Sequence, residues 1–145
     1  MTTASSTSLL LKALAGRSDV IGIGLDLVDV DRMAKVIERT PRLVERILST
    51  EELDYCRRQA HVAEHIAARF AAKEAVIKIL GSGLFSVRLA EIVVSRGHDG
   101  EPSLELGGRA HERAVSAGIR QWLVSLSHTD GVAGAVVVAL GDSEA

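Results

Sequence analysis

From Val20 to Val30, Ile21, Ile23, Leu25 and Leu27 alternate with Gly22, Gly24, Asp26 and Val28. That is the period of a strand with one face buried. Glycine is costly inside a strand, so the pair points to close approach by another backbone or a ligand. From Asp31 the period lengthens, and Met33, Val36 and Ile37 predict a short helix that ends before Pro41. Ser49-Thr50-Glu51-Glu52 forms a capping box, with Leu48 and Leu53 as its staple, and predicts a helix to about Arg58. The longest helix is expected from about Val62 to Leu80, rich in alanine and stopped by Gly81 and Gly83. Residues 91–95 and 103–106 read as strands joined around Asp99-Gly100, and 109–117 as a helix that ends at Gly118. Residues 122–127 and 132–140 read as two further strands, linked through Asp130-Gly131. The class is α+β, with a mostly antiparallel sheet packed against a long central helix.

A length of 145 residues suits one domain with its own core. Aromatics make up only 3% of the chain, so that core must be built from Ala, Val, Leu and Ile. A formal charge of −2 argues against an overall electrostatic grip on nucleic acid, and no nucleic-acid partner is expected. Cys56 has no second cysteine to pair with, which fits a reducing compartment and a cytoplasmic location. No stretch approaches the roughly 20 apolar residues needed to cross a bilayer, so no membrane partner is expected. Residues 1–19 carry Leu9-Leu10-Leu11 before rather than after their first basic residue, unlike a secretory signal. They are expected to form a flexible or loosely helical extension before a domain at 20–140, with a short tail at 141–145.

On a helical wheel, Ile66, Phe70, Ile77 and Leu80 form the bulky apolar stripe of the long helix, and Glu74 lies on its flank near Ala67 and Ala71. A carboxylate beside small residues leaves room for a ligand above it. Glu74 equally fits a surface i,i+4 pair with Lys78, worth a few tenths of a kcal/mol. Asp26 shares the strand face of Gly22 and Gly24, and also fits an ordinary strand-end aspartate. Two carboxylates plus phosphate oxygens and water are what magnesium tends to accept. Arg69 and Lys73 fall toward the apolar stripe, where they must either meet anions or snorkel. His128 follows a strand, as a ligand contact or a turn residue. Arg32, Lys35 and Arg39 share one helix face, and Arg42 and Arg46 continue the basic run, as either a solvated surface or a dock for an acidic partner. A structural zinc site and a P-loop are both absent from the pattern. Asp26 would repel a pyrophosphate near Gly22-Ile23-Gly24 unless a cation intervened.

Four segments, in this order, resemble the holo-acyl-carrier-protein synthase family: Gly22-Ile23-Gly24-Leu25-Asp26, Glu45 to Leu53, Arg69-Phe70-Ala71-Ala72-Lys73-Glu74-Ala75 with Lys78 and Gly81, and Ser125-Leu126-Ser127-His128. The resemblance spans residues 20–140. It implies a compact 4′-phosphopantetheinyl transferase fold and a Mg²⁺-dependent enzyme. The reaction implied moves 4′-phosphopantetheine from coenzyme A to a serine of an apo acyl carrier protein and releases adenosine 3′,5′-bisphosphate. It places the metal on Asp26 and Glu74, catalysis on Glu74, Lys78 and Asp26, and coenzyme contacts on Arg69, Lys78, Gly81 and His128. Arg32, with Lys35 and Arg39, would dock the acidic carrier. It also implies a homotrimer with active sites between subunits.

In such a mechanism the serine attacks the pantetheine-side phosphorus, and its proton passes to Glu74 or to a water on the metal. The chain departs from the family pattern in its longer N-terminal extension and in the scarcity of positive charge at 59–65. Gly100-Glu101-Pro102 also replaces a commoner Gly-Lys-Pro. The same chemistry on polyketide or peptide synthase carrier domains is a second reading. A non-catalytic coenzyme A-binding subunit is a third, opposed by the intact Asp26, Glu74 and Lys78.

Overall fold

The computed structural model describes residues 19–81 and 87–142. Residues 1–18 of the N-terminal extension, Gly83, and residues 143–145 of the tail lie outside them. Strand β1 (Val20–Asp29) runs into helix α1 (Val30–Arg39), which is capped by Asp29 through Oδ1 accepting the Arg32 amide at 2.9 Å. Helix α2 (Pro41–Ile47) comes next, then α3 (Thr50–Arg57) and the long α4 (Val62–Leu80). A single turn of 3₁₀ helix (Leu89–Glu91) leads into β2 (Ile92–Arg96), β3 (Pro102–Leu106), α5 (Gly108–Ser116), β4 (Gln121–Thr129) and β5 (Val132–Leu140). β1, β5 and β4 form a three-stranded antiparallel sheet in that order, and β2 pairs antiparallel with β3.

The predicted elements are present, and the capping box at Ser49 is closed from both sides. Helix α2 was not predicted, because Pro41 reads as the end of the preceding helix. It is also a start: proline at the first helical position loses only an amide that would lack a partner anyway. Arg42 and Arg46 therefore belong to a helix separate from Arg32, Lys35 and Arg39.

The side of β1 that turns inward is the Gly22, Gly24, Asp26 and Val28 side. It meets α4, whose buried residues include Ala67, Ala68, Ala71, Ala72 and Ala75. The neighbouring strand offers Ala133, Ala135, Val137 and Ala139, all buried. Small residues on both surfaces let helix and sheet approach closely, so the core needs few aromatics. At Gly24 the approach is closest, and an added Cβ would collide with the Ala75 carbonyl. The expected single apolar stripe on α4 is widened by this arrangement. Helices α1 to α3 and the β2–β3 hairpin cover the side away from the sheet, so Arg69 and Lys73 are buried as deeply as Ile66.

The other side of β1 is left bare. Ile23 is 51% exposed, Leu25 56% and Leu27 68%, beside Val136 on β5 and Leu123 on β4.

Candidate active site

Asp26 and Glu74 converge. Burial lifts the Glu74 carboxyl above its ordinary pKa, the Asp26 carboxylate beside it lifts it further, and Lys78 acts in the opposite sense. The two acids line one cleft of about 530 Å³ between β1, α1 and α4, walled by Met33, Val36, Leu43 and Phe70, with Arg32 among the lining residues. Lys78 does not pair with Glu74 along the helix. Its Nζ donates to Asp26 Oδ1 at 3.0 Å and to the Leu25 carbonyl at 2.9 Å, bridging α4 to β1. Gly81 ends α4 in the left-handed conformation, φ 65°, one turn beyond Ile77.

Among the described residues, no cluster of three or more His, Cys, Asp or Glu could hold a metal. Two like-charged carboxylates held together, one with a raised pKa, nevertheless suit a hard cation that takes its other oxygens from water and phosphate. Asp26 and Glu74 fit Mg²⁺ on that chemistry.

Arg69 and His128 belong to a second cluster. The five steps from Arg69 to Glu74 turn about 500°, which leaves the two side chains about 140° apart around α4. The Arg69 guanidinium lies 4.4 Å from the centre of the Tyr55 ring, and its Nη1 donates to the His65 carbonyl at 3.4 Å. Its Nε is buried and makes no hydrogen bond among the described residues. Arg69 lines a cleft of about 500 Å³ with Tyr55, Arg58, Ser95, Arg96 and His98. His128 Nδ1 lies 3.3 Å from Glu64 Oε1, and its ring is 6.2 Å from that of His65. Arg58 and Arg96 were not singled out from sequence, because each sits in an isolated polar stretch with no helical spacing to the others.

Lys73 neither snorkels nor faces a ligand site. It is fully buried, and its ammonium donates to Glu52 Oε1 at 2.7 Å and to the carbonyls of Leu89 and Ile92. Glu52 Oε1 also accepts the Ser49 amide, and Oε2 accepts the Val94 amide at 3.0 Å. This one ion pair ties α3, the middle of α4, the 3₁₀ turn and β2. Burial pulls the Lys73 ammonium below its ordinary pKa, and Glu52 opposes that shift.

Arg32, Lys35 and Arg39 are exposed on α1 and line a shallow basic surface with Asp29 and Asp31.

Comparison with known proteins decides the family. Residues 22–137 match the model of the 4′-phosphopantetheinyl transferase superfamily. A holo-[acyl-carrier-protein] synthase of Streptomyces avermitilis is 44% identical over 124 residues, covering 84% of this chain and 98% of that protein. The chain belongs to the holo-acyl-carrier-protein synthase family. Among solved structures of that family, the Helicobacter pylori synthase in complex with coenzyme A is similar at TM-score 0.72. It is 32% identical, over 81% of this chain and 99% of that one. The Plasmodium yoelii acyl carrier protein synthase with ADP bound gives TM-score 0.78 and 28% identity, over 86% of this chain and 97% of that one. The chain is therefore a phosphopantetheinyl transferase, with the α+β fold of these holo-acyl-carrier-protein synthases. No helix among the described residues is long and apolar enough to cross a membrane.

Proposed function

We propose that this protein transfers 4′-phosphopantetheine from coenzyme A to a serine of an apo acyl carrier protein, with Mg²⁺ held by Asp26 and Glu74. The observation that carries the reading is the meeting of Asp26, Glu74 and Lys78 at the head of one cleft. When bound, the cation supplies charge neutralisation at the coenzyme pyrophosphate.

The chain's own residues do the rest. Lys78 offsets negative charge on the pyrophosphate as the bond to the leaving group lengthens. The serine oxygen forms its bond to the pantetheine-side phosphorus, and the bridging P–O bond breaks to release adenosine 3′,5′-bisphosphate. The serine proton leaves to Glu74, whose carboxyl is held above its ordinary pKa by burial and by the Asp26 carboxylate. Arg69 and His128 receive the coenzyme's 3′-phosphate, which the buried, unpartnered Arg69 Nε and the arginines around it favour. Gly81 gives the coenzyme close access to the end of α4. Arg32 stands where the basic face of α1 meets the cleft, so a carrier docked on Arg32, Lys35 and Arg39 brings its serine to the cleft.

Each active site is assembled between subunits of a homotrimer. The two clusters face different sides of α4, so one copy presents its acids and its arginines to different neighbours. The bare apolar face of β1, β5 and β4 provides the contact. Such a reaction belongs to the cytoplasm, where acyl chains are built on carriers for lipid synthesis.

The test is to incubate the protein with coenzyme A, Mg²⁺ and a panel of purified apo carriers from fatty-acid, polyketide and peptide synthesis, and to weigh each carrier. A mass gain of one phosphopantetheine, lost on chelation, is expected on the fatty-acid carrier. No gain on any carrier, while a known synthase modifies them, would overturn the enzymatic reading.

A further inference from the structure

His65 sits where several charges meet, and nothing in the reaction above uses it. Its ring packs edge-on to Tyr55 of α3, with centroids 6.0 Å apart, and lies 6.2 Å from His128 of β4. On its own helix it is flanked by Glu64 and by Arg69, and Arg96 at the end of β2, 5.9 Å from the centre of the Tyr55 ring, adds its charge to the surroundings of His65. Glu64 is engaged with His128. The surroundings of His65 are therefore mostly cationic, and it is half-buried.

We propose that His65 is a specificity-determining residue for the coenzyme's phosphomonoester: it takes up one proton as that dianion enters the arginine-lined cleft, and the charge gained favours coenzyme A over its 3′-dephospho form. The inference rests on the reading that places the 3′-phosphate beside Arg69.

The physical argument is one of sign. In the free protein, burial and the neighbouring Arg69, His128 and Arg96 hold the His65 pKa below its ordinary value, with Glu64 opposing them. A phosphomonoester brings close to two negative charges and is drawn to the unpartnered Arg69 Nε and to Arg58 and Arg96. The local field then reverses, and the imidazole accepts a proton from solvent. The chain has little positive charge at 59–65, so a conditional charge at His65 adds to the Arg58, Arg69 and Arg96 that line the cleft. By linkage, a group whose pKa rises on binding makes affinity grow as pH falls through the bound-state value.

The experiment measures the affinities of coenzyme A and 3′-dephospho-coenzyme A from about pH 8.5 to about pH 6.5. In that window the phosphomonoester, with a second pKa of about 6, keeps most of its second charge. The preference for coenzyme A is expected to grow on the order of fivefold as the pH falls, and to stay flat in His65→Phe, which retains the aromatic contact with Tyr55. In parallel, the His65 ring resonance, identified by its loss in His65→Phe, should titrate at higher pH with coenzyme A bound than with the dephospho form. Equal affinity for both coenzymes at every pH would overturn the placement of the phosphate and the inference with it. A strong preference that is independent of pH, or a pH dependence that survives in His65→Phe, would overturn the role of His65 alone.

Discussion

Lys78 Nζ lies 3.0 Å from Asp26 Oδ1, so the carboxylate assigned to the metal is already paired to a lysine of the facing helix. Lys78 is 54% exposed on its side chain and Asp26 18%, which keeps the pair labile. An exposed pair of this kind is worth about 0.2–1 kcal/mol. On the proposed site, lysine and cation compete for Asp26, and each weakens the carboxylate's hold on the other. Replacing Lys78 by Ala should tighten Mn²⁺ binding about twofold to fivefold, while phosphopantetheine transfer falls about 10²-fold. Titration with Mn²⁺ and a carrier mass assay read the two effects separately. Weaker Mn²⁺ binding in the variant would mean that Lys78 supports the site rather than competing for it.

Glu74→Gln should abolish most transfer, by about 10²–10³-fold, while making the metal-free protein slightly more stable at neutral pH. Burial and Asp26 raise the folded-state pKa of Glu74 above its unfolded value, so the ionised form is strained in the fold. The unfolded chain holds fewer protons than the folded one between those two values, and the wild type loses stability as pH rises through the folded pKa. Below the unfolded value, about 4.3, the wild-type carboxyl is protonated in both states and the advantage of Gln disappears. Thermal melts across that range check the sign.

Gly24→Ala should damage the protein more than Gly22→Ala. At Gly24 the new Cβ meets the backbone of Ala75, which cannot give way without moving α4 off β1. At Gly22 it meets the Ile79 side chain, at 2.9 Å from Cγ2, and no backbone atom is among its nearest contacts. The expected cost is about 1–3 kcal/mol or more for Gly24→Ala, and less for Gly22→Ala. Because Asp26 lies two residues from Gly24 and Glu74 adjoins Ala75, Gly24→Ala should also weaken Mn²⁺ binding. Denaturant unfolding and metal titration measure both.

Lys73→Met should cost about 3–5 kcal/mol, because it strands the Glu52 carboxylate in the core. Adding Glu52→Gln should recover part of that loss. The glutamine Oε1 still accepts the Ser49 amide, and no charge is left buried. Urea unfolding of the single and double variants tests this. A double variant less stable than Lys73→Met would show that the carboxylate's remaining hydrogen bonds matter more than its lost partner.

Ile23→Glu should break the proposed trimer. Ile23 lies on the bare face, on the edge strand β1, and is 51% exposed, so a charge there costs one copy little and an interface much. Light scattering should give a monomer with native circular dichroism and little transfer activity. A monomer with full activity would place each complete site within one chain.

Local chemistry in the sequence determined the elements. The capping box at Ser49, the glycine at position 81, the alternation from Val20 and the turn at Asp130-Gly131 each act within a few residues, and each holds in the fold. Helix α2 is the exception, because Pro41 carries two meanings, an end and a start. The burial of Val44 and Ile47 against the core separates them.

The motif residues also marked the candidate carboxylates and cations. Their partners were decided by tertiary structure alone. Lys73 and Arg69 stand four apart on one helix and look alike on a wheel. One meets Glu52 from 21 positions earlier, while the other stacks on Tyr55 with an unsatisfied nitrogen. Likewise, i,i+4 spacing offered Lys78 to Glu74, yet the close packing allowed by Gly24 and Ala75 brought Asp26 nearer. Sequence fixes which groups are present and the local backbone they sit on. Which charges meet depends on how closely a helix and a sheet can approach, and that is set by side chains far apart along the chain.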